Sequence, residues 1–336
     1  MSLTEVLLRL VLARRSRYRP RSQASRPRLA ISPGGPVRVA AVQLKLFLTA
    51  SPAVWARRMH DLAARAVRED ARLVVFPEDV ALPLLGMVPG LSRKAGRLLA
   101  GGPLRPADLF AFLDPYLYRV YRAVFAEVAR TWGVWVAAGS LPRAVGRGVQ
   151  NVGTLFGPDG TPLLSQAKTH LLPLEEQWGL VPGDELAVYD AGWGKLALPV
   201  CMDATFFETF RLLAALGAEV VLLPTANPEP YNRYKALRGI WPRVQESRVF
   251  GVQSALVGEL FGYTLEGKSG IYAPWELTPG QDGILVEATD PRAETVVWAD
   301  LDLAALRAWR TGHPRVVNAD LYRRYLPDVY GPYPLE

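Results

Sequence analysis

A single cysteine, Cys201, occurs in 336 residues, so no intramolecular disulfide can form and the chain is not a disulfide-stapled scaffold. Histidine is nearly as scarce. His60, His170 and His313 lie far apart without HExxH or any comparable ligand spacing, which argues against a zinc enzyme and leaves neither metal nor cofactor expected. Long apolar runs are missing too. The best, residues 6–13, is interrupted by Arg9, against the roughly 18–20 apolar residues that a spanning helix needs. These absences predict a soluble protein, and a cytoplasmic one.

Acidic charge is scarce only at the start. The chain carries 39 basic and 32 acidic groups, a net of +7. Residues 1–36 hold eight of the arginines (Arg9, Arg14, Arg15, Arg17, Arg19, Arg21, Arg26 and Arg28) against Glu5 alone. The remaining residues therefore balance, and a neutral body is a poor electrostatic match for nucleic acid. Residues 1–36 are expected to form a basic, partly disordered arm that makes at most weak contact with an anionic membrane surface or a partner. Its positive charge follows the apolar run, the reverse of a secretory signal.

What is present is an α/β pattern from residue 37 to about 310, read as one domain, with 311–336 a tail packing on that domain or on a partner subunit. Residues 37–46 form a β-branched strand, followed by a helix near 53–69 and the short strand RLVVFPED. Gly and Pro enrich residues 84–118, which predicts an insertion with short helices before a helix at about 116–131. GVWVAAGSLP continues as a strand. NVGTLFGPDGTPL is a hairpin with Pro-Asp-Gly at its turn. A loop over 165–184 leads to KLALPVCMD, a helix near 207–216, the continuous apolar strand AEVVLLPT, a helix near 241–248 and four further strands. Strands apolar throughout require helices on both sides.

Three polar residues close three of these segments: Glu78 after RLVVFP, Lys168 after the hairpin, and Cys201 after KLALPV. Carboxyl ends of strands are where open α/β folds place their sites. Separately, each reads as a surface acid, a solvated lysine and an inert core thiol. Together they supply a base, a cation for a developing oxyanion and a nucleophile, with no need of histidine or metal.

The set resembles the nitrilase superfamily of carbon–nitrogen hydrolases. Phe76-Pro77-Glu78 is similar to that family's glutamate segment and Lys168-Thr169-His170-Leu171 to its K-x-H-L. Cys201, Asp203, Phe206, Glu208 and Arg211 match its C-x-D-x-x-F-x-E-x-x-R. Gly217-Ala218-Glu219 before VVLLPTA, and Gly267-Lys268-Ser269-Gly270-Ile271, extend the likeness over most of residues 37–300. It implies a four-layer α-β-β-α sandwich, usually paired into dimers through its helical face, so a homo-oligomer is expected. It also implies hydrolysis of a small-molecule amide, carbamoyl or nitrile substrate through a thioester on Cys201, with Glu78 as base and Lys168 as oxyanion stabiliser. Acyl transfer from the same thioester, and a non-catalytic binding module, are the alternatives.

A second glutamate is implied shortly after the lysine; Glu176 is the choice, with Glu175 its neighbour. Met202, Asp203, Tyr231 and Trp241 are the expected substrate contacts, and residues 84–118 and 225–241 the expected pocket walls. Three positions depart from the family pattern: Phe207 replaces a proline, Arg243-Val244-Gln245-Glu246-Ser247 ends without asparagine, and an asparagine is missing near Leu256. These bear on substrate more than on chemistry.

Overall fold

Strands buried on both faces need layers above and below them, and the chain builds four. The structure, a computed structural model, describes residues 3–20, 31, 35–91, 105–146, 148–260, 262–314 and 318–330. One sheet contains β1 (Val37–Lys45), β2 (Leu73–Val75), β3 (Trp135–Val145), β4 (Gly148–Phe156), β5 (Pro162–Ala167) and β13 (Thr295–Leu301), in the order β5-β4-β3-β2-β1-β13. The other contains β6 (Val188–Asp190), β7 (Lys195–Ala197), β8 (Val220–Thr225), β9 (Phe250–Leu260), β11 (Gly270–Tyr272) and β12 (Ile284–Glu287). The short β10 (Tyr263–Leu265) pairs with β9. In each sheet the central pairs are parallel and the flanking ones antiparallel. The two sheets join where Leu44 and Lys45 of β1 pair with Leu256 and Val257 of β9.

The alternation of β1 shows why both faces are covered. Val39 and Ala41 point into the space between the sheets, against Leu198, Leu222 and Val252, among others. Ala40 and Val42 point outward, to a core shared with Trp55 and Met59 of α2 (Pro52–Arg68). On the far side, Phe210 of α5 (Phe207–Ala215) and Val244 of α6 (Ile240–Ser247) cover Val221 and Leu223. This is the expected α-β-β-α sandwich.

In the 84–118 region, a short 3-10 helix at Leu82–Met87 comes first, residues 92–104 lie outside the described residues, and α3 (Pro106–Trp132) starts ten residues earlier than the expected helix and continues through Pro115. Interior proline costs about 3 kcal/mol. Burial of Leu113, Leu117, Val120, Tyr121 and Phe125, at about 1.5–3 kcal/mol each, outweighs it.

The start of the basic arm is docked on the body. In α1 (Leu3–Arg15), Leu12 is fully buried in the core beneath α2 and α3. The Arg15 guanidinium donates to the Met87 carbonyl at 2.8 Å, and the Tyr18 hydroxyl donates to Glu127 of α3. Residues 21–30 and 32–34 lie outside the described residues. Near the other end, the helix Ala319–Tyr330 meets the body where Arg211 of α5 lies over the Tyr322 ring. Among the described residues, no helix is long and apolar enough to cross a membrane.

Leu12→Ala should destabilise the protein by about 2–5 kcal/mol in urea unfolding; an unchanged midpoint would mean that α1 does not share the core.

Candidate active site

Three strand ends deliver the polar cluster. Beyond β2, the Phe76 amide donates to the Ala137 carbonyl at 2.8 Å and the Val80 amide to the Ser140 carbonyl at 3.1 Å, so the Pro77-Glu78 turn lies along β3. Gly139, with φ of 64°, makes that approach possible, since a Cβ there would sit 1.9 Å from the Pro77 carbonyl oxygen. Lys168 directly follows β5, its amide donating to the Asn151 carbonyl of β4 at 2.8 Å. Cys201 opens a 3-10 turn, Cys201–Thr205, just past β7. Its φ of 47° is left-handed, a conformation that costs a non-glycine residue on the order of 1–3 kcal/mol.

The Lys168 ammonium is 0% exposed and lies between two carboxylates, 2.8 Å from Glu78 Oε1 and 2.7 Å from Glu175 Oε2. Asn151 Nδ2 donates to Glu78 Oε1 at 2.9 Å and to Glu175 Oε1 at 3.4 Å. The Cys201 thiol donates to Asn227 Oδ1 at 3.7 Å and is within side-chain hydrogen-bonding reach of Glu78. Burial, then the Glu78 charge, pushes the thiol well above its usual pKa, with Lys168 opposing. Glu78 is raised by burial and by Glu175, against the pull of Lys168. For Lys168, burial favours the neutral amine, but Glu78, Cys201 and Glu175 overcome it and hold the pKa well above the usual lysine value. Asp79 also sits high, from burial and its neighbours Glu78 and Glu175.

Of the expected residues, Glu78, Lys168 and Cys201 converge, whereas Glu176 does not. Glu175 occupies the place beside Lys168, and Glu176 is exposed. In the one-turn helix α4 (Pro173–Gln177), Glu175 faces back toward the helix start, where its Oε2 accepts from the Leu172 amide at 2.7 Å; the next residue turns about 100° away. Pro173 at the first helical position was the available signal, because a glutamate two residues later commonly folds back this way.

Asp203 is a joint, not a substrate contact. Fully buried, it accepts from the Thr169 amide and hydroxyl and the His170 amide through Oδ1, at 3.0, 2.7 and 2.8 Å, and from the Val200 amide through Oδ2 at 2.8 Å. It thereby ties the lysine loop to the cysteine turn. Met202 and Tyr231 do line the open cleft of about 320 Å³ in front of Cys201, together with Asn227, Lys235 and Lys268. Trp241 lies in a neighbouring groove, its indole donating to the Asp282 carbonyl at 2.8 Å. Asn151 and Asn227 were missed. A second chamber of about 110 Å³ abuts Glu78 and Glu175 and shares Leu172 and Pro228 with the cleft. Among the described residues, no group of three or more His, Cys, Asp or Glu side chains could hold a metal ion.

This constellation can generate a thiolate beside a fixed cation. The sequence profile described as carbon-nitrogen hydrolase matches residues 38–311. The chain belongs to the carbon–nitrogen hydrolase family. Probable hydrolase YhcX of Bacillus subtilis (strain 168) is 32% identical over 198 residues, which cover 56% of this chain but only 38% of YhcX. Omega-amidase NIT2 of Homo sapiens is 27% identical over 213 residues, 59% of this chain and 72% of NIT2. Among solved structures, an amidase variant from Nesterenkonia sp. AN1, carrying the acetamide moiety of fluoroacetamide on its active-site cysteine, superposes with a TM-score of 0.64. It is 24% identical and covers 90% of this chain and 100% of the amidase; the likeness is one of fold.

Asp203→Ala should cost about 3 kcal/mol or more, because it leaves buried amides unpaired. A denaturation midpoint within error of the parent protein would show that the joint carries no strain.

Proposed function

We propose that the chain hydrolyses a non-peptide C–N bond, in an amide before a carbamoyl or nitrile substrate, through a thioester on Cys201. The observation that carries this reading is the buried Lys168 ammonium, held between Glu78 and Glu175 and set against the Cys201 thiol. The amidase names of the relatives favour the amide over the nitrile.

With its raised pKa, the thiol is protonated at rest, and it becomes a nucleophile only as its proton passes to Glu78. The raised Glu78 is a correspondingly stronger base than an exposed glutamate. Sulfur attacks the carbonyl carbon, and the developing oxyanion is met by Lys168 and a backbone N–H near Met202. Glu78 returns the proton to the leaving nitrogen, which departs as amine or ammonia. Water, deprotonated by Glu78, then attacks the thioester, and the acid and the free thiol are released. Glu175 and Asn151 position Glu78 and Lys168 throughout and touch no reacting atom in this scheme.

Two copies are proposed to pair through the outer helical face, where Phe207 and Leu212 of α5 and Leu216 just beyond it are exposed.

Cys201→Ser should lower ammonia release from amides by about 10³-fold or more, with an unchanged melting temperature. Turnover of the parent protein quenched in acid should leave an acyl mass on the Cys201 peptide. Undiminished ammonia release from the serine variant would overturn the proposal.

A further inference from the structure

The helix α1 carries more apolar surface than its docking uses. Residues 6–13 are apolar except for Arg9, and a helix apolar all round is ordinarily buried all round. Only one side of α1 is. Leu12 is fully buried, Leu8 packs against the same core, and Ser16 just past the helix is fully buried. On the other side Leu7 and Leu10 are 54% and 62% exposed. Rotation of about 100° per residue places Leu7, Leu10 and Arg14 within about 60° of one another, and Leu12 about 140° from Leu7.

Charge indicates what the bare side fits. Residues 3–20 hold five arginines against Glu5 alone. Glu5 is taken by Arg9 at 3.0 Å, whereas Arg14, Arg17 and Arg19 are exposed. Bare leucines beside arginines match hydrocarbon behind a layer of negative charge, which is an anionic lipid headgroup layer. The apolar surface also continues onto the body, where Leu48 is exposed and lines a shallow depression with Arg15.

The helix is held ready for such a surface. Arg15 donates to the Met87 carbonyl and the Tyr18 hydroxyl to Glu127, so attachment need not first order it. A second copy is a poorer occupant. A two-fold contact through this face would set the same arginines of two copies against each other, and α5, proposed above for pairing, belongs to the opposite helical layer.

We propose that the outward face of α1, with Leu7, Leu10, Arg14 and Arg17, seats the protein on an anionic membrane surface. The helix lies among the headgroups while its inner face stays on the body. This attachment is independent of the hydrolase reading.

The test is co-sedimentation of the full chain with phosphatidylcholine vesicles, with and without about 30% phosphatidylserine. The anionic vesicles should bind about tenfold more tightly or better, and lose that advantage between ~0.05 and ~0.5 M NaCl. Arg14→Gln with Arg17→Gln should weaken binding about 20-fold, at about fivefold per arginine. Leu7→Gln with Leu10→Gln should weaken it about tenfold, with little change in melting temperature because both side chains already face water. Equal binding to neutral vesicles, no binding to anionic ones, or either double variant binding as the parent does would overturn the proposal. So would a leucine variant that turns a dimer into a monomer in analytical ultracentrifugation, which would assign the face to a second copy.

Discussion

A fully buried ammonium is the constraint on which the rest of this structure depends. Removing a lysine charge from water costs several kcal/mol, and Lys168 is 0% exposed. Two carboxylates at 2.8 and 2.7 Å make that position tenable. They come from separate elements, the end of β2 and the helix α4, so both must arrive for the lysine to be held. Asn151 then bridges the two carboxylates with one amide nitrogen. The polar cluster and the strand ends are thus one unit: loss of either glutamate leaves a buried charge only partly compensated.

The sandwich supplies the rigidity. β2 and β7 sit in different sheets, and both contribute to the core between the sheets, β2 through Val75 and β7 through Leu196. Glu78 and Cys201 are therefore positioned by the same packing. Asp203 adds a direct link, since one buried carboxylate collects amides from both the Lys168 loop and the approach to Cys201. The left-handed Cys201 persists because the turn around it is fixed at both ends.

Much of this was legible in the sequence, for identifiable reasons. Glu78, Lys168 and Cys201 each close an apolar or hairpin strand, and the likeness of their segments to the family's motifs grouped them. Strands such as β8, buried at every position, called for helices on both sides, and the family resemblance implied the four layers. What failed depended on rotation and register. Choosing Glu175 over Glu176 requires the phase of a single helical turn, set by Pro173. Asn151 lies across from Lys168 only because the β4–β5 pairing slips between Leu155 and Phe156. Counted back from the Phe156–Pro162 pair, the hairpin would put Asn151 opposite Ala167, on the other face. Asn227 enters through a loop beyond β8, which carries no periodic signal. Pro115 concealed the first half of α3, since only tertiary burial justifies proline there.

Beside the polar cluster, the apolar chamber receives its walls from the 3-10 turn after β2, from α3, α4 and β10. The turn is in turn braced by α1 through Arg15 and Met87, so the docked start of the basic arm supports a wall of the site. The central claim, that two carboxylates sharing a buried ammonium set the ionisation of the base, is tested most directly by the acid limb of the pH profile of kcat/KM. In the parent protein this limb should lie above the ordinary glutamate range, because burial and Glu175 both raise Glu78. Glu175→Gln removes a negative neighbour, eases ionisation of Glu78 and should move the limb to lower pH. A limb that stays in place, or moves to higher pH, would contradict the account.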